Sequence, residues 1–342
     1  MELTKYDTQI AKGIAIIGMV MLHLFCRLGE LPYSPLIWLG DIPIIYYLGL
    51  LGDMCVPIFC FCSGYAHFLL NEEYGKQYKN RIPKKLLRFI CNYWLVVALF
   101  STIGVILGKQ EIIPKSFSEF CGNIFFYNMS YNGAWWFVLT YITLLLMSPI
   151  LNKLTQKVNA LSIIVGSSLL YFVAYILRFK IEIDLNNPVL NWILLQSVLV
   201  GTVQCTYVIG MVCRRYRIIS KIRQTQTKHM FLLGGAAVLM GHCIVQSAFL
   251  APFTALAVLS ILFLFRLPAY LKNSLAFLGK HSTNIWLIHM FFYTDLFDEL
   301  VFAVKYPVFI IAFMFFICIL VSMFINIIYA FICKRMADRK WI

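Results

Sequence analysis

Ten apolar stretches, most near the ~20 residues that a helix needs to cross a bilayer, recur along the chain. They run over about 9–27, 43–70, 86–108, 134–152, 160–178, 191–213, 229–248, 251–265, 274–293 and 306–333. The eighth is short, and a tight turn at "FLAPFT" with Pro252 is expected to part it from the seventh. Apolar residues make up 61% of the 342-residue chain and charged residues only 13%. A soluble domain sits near ~45–50% and ~25%, so one soluble core cannot bury this much apolar surface. The first run has no small-x-small cleavage site after its apolar part and carries conspicuous residues inside it, so it reads as a span rather than a leader.

Charge sets the expected orientation. With the N-terminus in the cytoplasm and spans alternating, the inner segments include "NEEYGKQYKNRIPKKLLR", "NKLTQKVN", "RRYRIISKIRQTQTK", "RLPAYLKN" and the tail "KRMADRKWI". Of the 29 Lys and Arg, all but Arg27, Lys109, Lys115, Arg178, Lys180 and Lys305 then lie inside. An odd number of spans spoils this bias. The expectation is an all-α, polytopic transmembrane helical bundle of about ten spans with both termini cytoplasmic. The net charge of +14 is then the positive-inside pattern and not a nucleic-acid footprint. No internal repeat or linker divides the chain, so residues 1–342 are expected to form a single membrane domain with no attached soluble domain. The 11 cysteines are scattered through apolar runs without C-x-x-C or Cys/His ligand spacing, which reads as packing; no metal site is expected.

Within the first span, "KGIAIIGMVMLH" places Lys12 and His23 at either end of an uncharged run. Eleven residues advance a helix by about 16 Å and return to nearly the same face. Ionisable groups inside spans usually face the bundle interior. One face thus carries a cation near the cytoplasmic end and an imidazole deeper in. Neutral imidazole is the form a general base needs. A packing histidine and a snorkelling lysine also fit this pattern.

Several segments together resemble the acyltransferase 3 family of integral membrane acyltransferases. The family's first helix opens with a basic residue, ten residues and then histidine; here these are Lys12 and His23, with Lys in place of the usual Arg. "CVPIFCFCSGYAHFLL" is similar to the family's Pro-x-Phe-Phe-x-x-Ser-Gly segment through Pro57, Phe59, Ser63, Gly64 and Tyr65, with Cys60 where Phe is common. "RIPKKLLRFICNYW" resembles its basic entry to the third helix. "NGAWWFVLTYITLLLMSPIL" resembles its Trp-aromatic-Leu segment through Trp136 and Phe137. "LGKHSTNIWLIHMFF" is similar to its late Ser…His segment through Gly279, Ser282, Leu287 and His289, with Trp286 in place of Tyr. The likeness covers almost the whole chain. It implies an O-acyltransferase, with acetyl-CoA or another acyl-CoA as cosubstrate and a glycan or lipid-linked oligosaccharide as acceptor, in a bacterial inner membrane; membrane lipids surround it and no nucleic acid takes part. Lys in place of Arg keeps the charge but loses the planar fork that grips phosphate or carboxylate.

Sorting polar residues by expected depth yields two layers. The inner layer holds Lys12, His67, Lys84, Lys85, Arg88 and His281. With Ser63, the cations among these are the candidate seat for the donor's phosphates, although positive-inside placement alone also accounts for them. The outer layer holds His23, Asp53 and His289 as catalytic candidates and Asn132 and Trp136 as acceptor-binding candidates. Asp53, a carboxylate inside an apolar span, is expected to orient His23; an aspartate at the outer rim is the plainer alternative. His289 reads as a proton-sharing group or a structural hydrogen bond. Ser63-Gly64 reads more readily as a close-approach point than as a nucleophile. Trp135 is expected in the interfacial aromatic belt. A transporter or flippase uses buried ionisable groups too, but no repeat or paired broken helices are visible. A non-catalytic subunit of a glycan assembly is the third possibility, and acyl-CoA binding separates it and the carrier from the enzyme.

Overall fold

The computed structural model describes residues 2–224, 228–294 and 296–338; residues 225–227 of the basic loop and 339–342 of the basic tail lie outside them. The chain is helical almost throughout. In order, the elements are α1 (Lys5–Phe25), a two-stranded hairpin of β1 (Trp38–Leu39) and β2 (Ile42–Pro43), α2 (Ile44–Leu50), α3 (Cys55–Tyr74), α4 (Tyr78–Ile106), α5 (Phe117–Ile124), α6 (Trp136–Lys157), α7 (Ala160–Phe179), α8 (Pro188–Arg215), α9 (Ile218–Gln224), α10 (Lys228–Val245), α11 (Ala251–Leu264), α12 (Ala269–Ile288), α13 (Met290–Tyr293), α14 (Asp298–Phe302) and α15 (Pro307–Asp338). The hairpin is antiparallel, with Trp38 opposite Pro43.

All ten apolar stretches fall largely on helix. Among the described residues, seven helical runs are long and apolar enough to cross a membrane; one of them, Ile44–Ile106, is 63 residues long and joins α2, α3 and α4 through short 3₁₀ turns. The chain is an integral membrane protein built of helices. The 274–293 stretch is not one of the seven. It falls on α12 and α13, where Lys272, Asn273, Lys280, His281 and Asn284 dilute the apolar run. Ala248–Leu264 is a shorter apolar segment.

Helix starts follow local capping chemistry. Asn159 accepts the Ser162 N–H at the head of α7, and Asn187 accepts those of Val189 and Leu190 ahead of α8, whose first residue is Pro188. At "FLAPFT" the structure corrects the expected turn. The reversal lies at Gln246, with φ of +50°, and at a 3₁₀ turn over Ala248–Leu250, while Pro252 sits in the first turn of α11. Proline has no N–H to donate and suits a helix's first turn, where none is needed.

The chain forms two compact units, each drawn from three stretches. The first comprises residues 1–19, 50–79 and 139–280; the second comprises 20–49, 80–138 and 281–342. In the first, α3 and α8 approach closely: a Cβ on Gly64 would lie 1.9 Å from the Tyr207 carbonyl oxygen, and one on Gly210 would lie 2.2 Å from that of Phe61. Gly64 is therefore the close-approach point its sequence context suggests. In the second, a chain of polar side chains, buried at Asn92, Asn284 and Ser322, links α4, α12 and α15. Asn92 donates to Asn284 (2.8 Å), and Asn284 donates to Ser322 Oγ and Asn326 Oδ1 (3.0 Å each). His281 joins it at 2.8 Å from Ser322 Oγ. Each of the eleven cysteines is a free thiol.

Candidate active site

Within the second unit the structure brings together two of the candidate catalytic residues, His23 and His289. His23, half-buried, stands two residues before the end of α1. Its Nδ1 lies 2.7 Å from Nε2 of the fully buried His289, with ring centroids 4.8 Å apart. Tyr293 closes the group, its ring 6.2 Å from that of His23 and 6.0 Å from that of His289.

A helix interruption explains how His289 is held. α12 ends at Ile288 and α13 begins at Met290, so the last carbonyls of α12 lose regular helical partners. Side chains take them instead. His289 Nδ1 lies 2.9 Å from the Trp286 carbonyl, and the Leu287 carbonyl accepts from Asn132 Nδ2 (3.0 Å) and Trp135 Nε1 (2.9 Å). Trp286 returns a bond, its indole N–H donating to the Ala134 carbonyl at 3.0 Å.

These contacts fix protons. A carbonyl only accepts, so His289 carries its hydrogen on Nδ1. With both rings neutral, His289 Nε2 holds a lone pair and must accept from His23 Nδ1–H. That leaves the lone pair of His23 on Nε2, the outer nitrogen of the relay. The arrangement is that of a base whose tautomer is set by a second group.

Arg27 stands beside this pair. Its Nη2 donates to the His23 carbonyl at 3.2 Å, and its guanidinium lies 5.9 Å from the centroid of the Phe302 ring. Tyr33 packs edge-on against Phe25 at 5.0 Å and donates to the Phe25 carbonyl at 3.4 Å. Burial raises the Tyr33 phenol above its ordinary pKa, and the Arg27 charge acts against that rise. The sequence marked Arg27 only as one of the few cations on the outer side; its reach back to the His23 carbonyl needed the loop that follows α1.

The other site candidates distribute as follows. Asn132 is buried, and both ends of its amide are engaged, one with Leu287 and the other as the cap that accepts the Ala134 N–H at 2.9 Å. Trp136 is half-buried at the start of α6, its ring 5.7 Å from that of Phe137. Trp135 does not join an interfacial belt. It is fully buried between Tyr93 (4.8 Å) and Phe291 (5.6 Å), and its indole N–H is what the Leu287 carbonyl requires. Lys84 and Arg88 are exposed one turn apart on the first part of α4, and Lys85 is half-buried between them.

In the first unit, half-buried Lys12 lies within electrostatic reach of the Cys62 thiol, next in sequence to half-buried Ser63. No carboxylate among the described residues pairs with Lys12. Asp53 Oδ2 lies 3.2 Å from Nε2 of His242, off the line of a good hydrogen bond, and Nδ1 of His242 lies 2.7 Å from Thr254 Oγ1. His242 is thus the imidazole that the structure gives Asp53, and the sequence reading did not single it out. Among the described residues no group of three His, Cys, Asp or Glu is placed to hold a metal ion.

Residues 6–328 match the family model described as an acyltransferase domain, acyltransferase 3. The chain belongs to the acyltransferase 3 family. It is a membrane acyltransferase, and its chemistry requires an acyl donor. No curated protein and no solved structure matches the chain.

Proposed function

We propose that this acyltransferase 3 member is an O-acyltransferase of a bacterial inner membrane. It moves an acyl group, acetyl in the simplest case, from cytoplasmic acyl-CoA to a hydroxyl of a lipid-linked or cell-envelope glycan. The observation that supports this reading is the His23–His289–Trp286 chain, which leaves a basic lone pair on His23 Nε2.

In the proposed step, His23 Nε2 takes the proton of the acceptor hydroxyl as its oxygen attacks the thioester carbonyl carbon. The tetrahedral adduct collapses, the C–S bond breaks, and the CoA sulfur leaves with the proton carried by His23. His289 accepts the His23 Nδ1–H throughout and spreads the positive charge of the imidazolium. A path in which His23 first carries the acyl group uses the same nitrogen. Lys12 and Ser63, on α1 and α3, and Lys84, Lys85 and Arg88, on α4, are the groups proposed to meet the donor's phosphates. Trp136 supplies an aromatic face for the acceptor sugar, and Asn132 holds the α12 end that carries His289.

The test is acyl transfer in membrane vesicles supplied with labelled acetyl-CoA and envelope glycans, comparing wild type with His23→Ala at matched protein level. Label should reach glycan only with His23 present. Equal labelling removes His23 from the chemistry. No labelling by either, across several acyl-CoA donors and with folded protein, returns the carrier reading to the front.

A further inference from the structure

Arg27 holds a position that the reaction sketched above does not use. It follows α1, and its own side chain brings the guanidinium back to the His23 carbonyl. The residue is half-buried, with the Phe302 ring 5.9 Å away, and its charge reaches the phenols of both Tyr33 and Tyr293. Tyr293 is the same ring that lies against His23 and His289. Guanidinium, base and aromatic ring therefore belong to one cluster within the second unit.

The partners of this cation do not match its capacity. A guanidinium offers five N–H donors in a planar fork. One donates to a neutral carbonyl, the ring of Phe302 takes a cation–π share, and no carboxylate among the described residues pairs with it. Capping a single helix carbonyl needs one donor and no permanent charge. A half-buried guanidinium with donors to spare makes its strongest bonds with an anion.

We propose that Arg27 forms an anion-binding subsite beside His23, and that the acceptor presents a carboxylate or phosphate close to the hydroxyl that is acylated. The inference rests on the acyl-transfer reading and narrows its acceptor to an acidic glycan. The fork takes the anion in bidentate fashion, Phe302, Tyr33 and Tyr293 shield it from water, and the neighbouring hydroxyl is brought towards His23 Nε2. Both anions offer the same paired oxygens, so the two sources are separated by experiment.

The test uses the full-length protein in lipid nanodiscs, with labelled acetyl-CoA and an envelope-glycan fraction as acceptor. Three soluble competitors are titrated: methyl glucoside, methyl glucuronide and glucose 6-phosphate. A charged competitor should block transfer at a concentration about tenfold or more below that of methyl glucoside, as an added charge-assisted bond implies. The gap should narrow as salt rises, and the better of the two charged sugars names the source. Arg27→Gln should erase the gap, raising the apparent KM for glycan more than it lowers kcat, while Arg27→Lys keeps part of it. Competitors that act alike on wild type overturn the subsite, and that comparison needs no variant to fold. A gap unchanged in Arg27→Gln overturns it as well. Transfer that needs His23 but ignores acceptor charge leaves the acyl-transfer reading standing, whereas wild type that labels no glycan removes both.

Discussion

His23 Nδ1 and His289 Nε2 lie 2.7 Å apart, and the Trp286 carbonyl on the far side of His289 decides which of the two nitrogens carries the hydrogen. A histidine at the end of an apolar helix is thereby given one tautomer.

His23→Ala removes the base, and acyl transfer should fall roughly 10²- to 10⁴-fold, the usual contribution of general acid–base catalysis. His289→Phe keeps the ring volume but strands the His23 N–H and the Trp286 carbonyl. It should lower kcat by roughly a hundredfold while leaving the KM for acetyl-CoA nearly unchanged. His289→Gln can accept from His23 and donate to the carbonyl, so it should recover part of that loss. Steady-state transfer rates check all three. Equal rates for the Phe and Gln variants sink the tautomer argument.

Trp135 and Asn132 act one step further back. Both donate to the Leu287 carbonyl, two residues before His289. Trp135→Phe deletes one of the two N–H groups on that carbonyl and should lower stability by about 0.5–1.5 kcal/mol, the net worth of one hydrogen bond, because Asn132 still meets the carbonyl. Thermal unfolding in detergent measures it. An unchanged melting temperature contradicts the assignment of that bond.

Gly64 tests the packing of α3 against α8. Its missing side chain leaves room for the Tyr207 carbonyl, which a Cβ would meet at 1.9 Å. Gly64→Ala should cost about 1–3 kcal/mol or fail to fold, because two backbones must separate. Ser63→Ala, at the adjacent half-buried position, should keep its melting temperature. If Ser63 meets the donor as proposed, that variant raises the KM for acetyl-CoA alone.

How much of this was legible beforehand follows from what each feature depends on. The helices were readable because the composition of an apolar run favours a membrane helix, although among the described residues seven helical runs, not ten, are long and apolar enough to cross a membrane. His23 stood out as a candidate because it shares a helix face with Lys12 across an uncharged run, a pattern that a packing histidine fits as well. The tautomer relay was not readable, since it depends on carbonyls freed where α12 gives way to α13. Asn92, Asn284 and Ser322 were not singled out in the sequence, where nothing local says that they bond to one another. Trp135 was expected in the interfacial belt because nothing in the sequence shows that its indole is buried and serves Leu287.

Ahead of α1, Glu2 makes stability depend on pH. Its carboxylate accepts from the Tyr65 hydroxyl at 2.5 Å and from the Ser220 N–H at 3.2 Å. Burial alone raises its pKa, but these bonds and the Arg214 charge outweigh it and the net shift is downward. A carboxyl depressed in the folded state stabilises above its unfolded value, and that stability is lost as pH falls through the folded one. The melting temperature of wild type should therefore exceed that of Glu2→Gln at pH 7, with the two curves converging as pH drops below about 4. A constant difference across that range rules out titration of Glu2 as the cause.

Asp53 and His242 call for a double-mutant cycle. The two lie 3.2 Å apart, with His242 fully buried and bonded on its other side to Thr254. Removing either partner strands the other in an apolar setting, so most of the damage is done by the first substitution. Asp53→Asn and His242→Phe should each lower the melting temperature, and the double variant should be more stable than the sum of the two predicts, by about 1–3 kcal/mol. Additive losses show that the pair is not coupled. A fall in kcat on Asp53→Asn with no change in melting temperature gives Asp53 a role at the reacting groups instead, which is where its place in the sequence first put it.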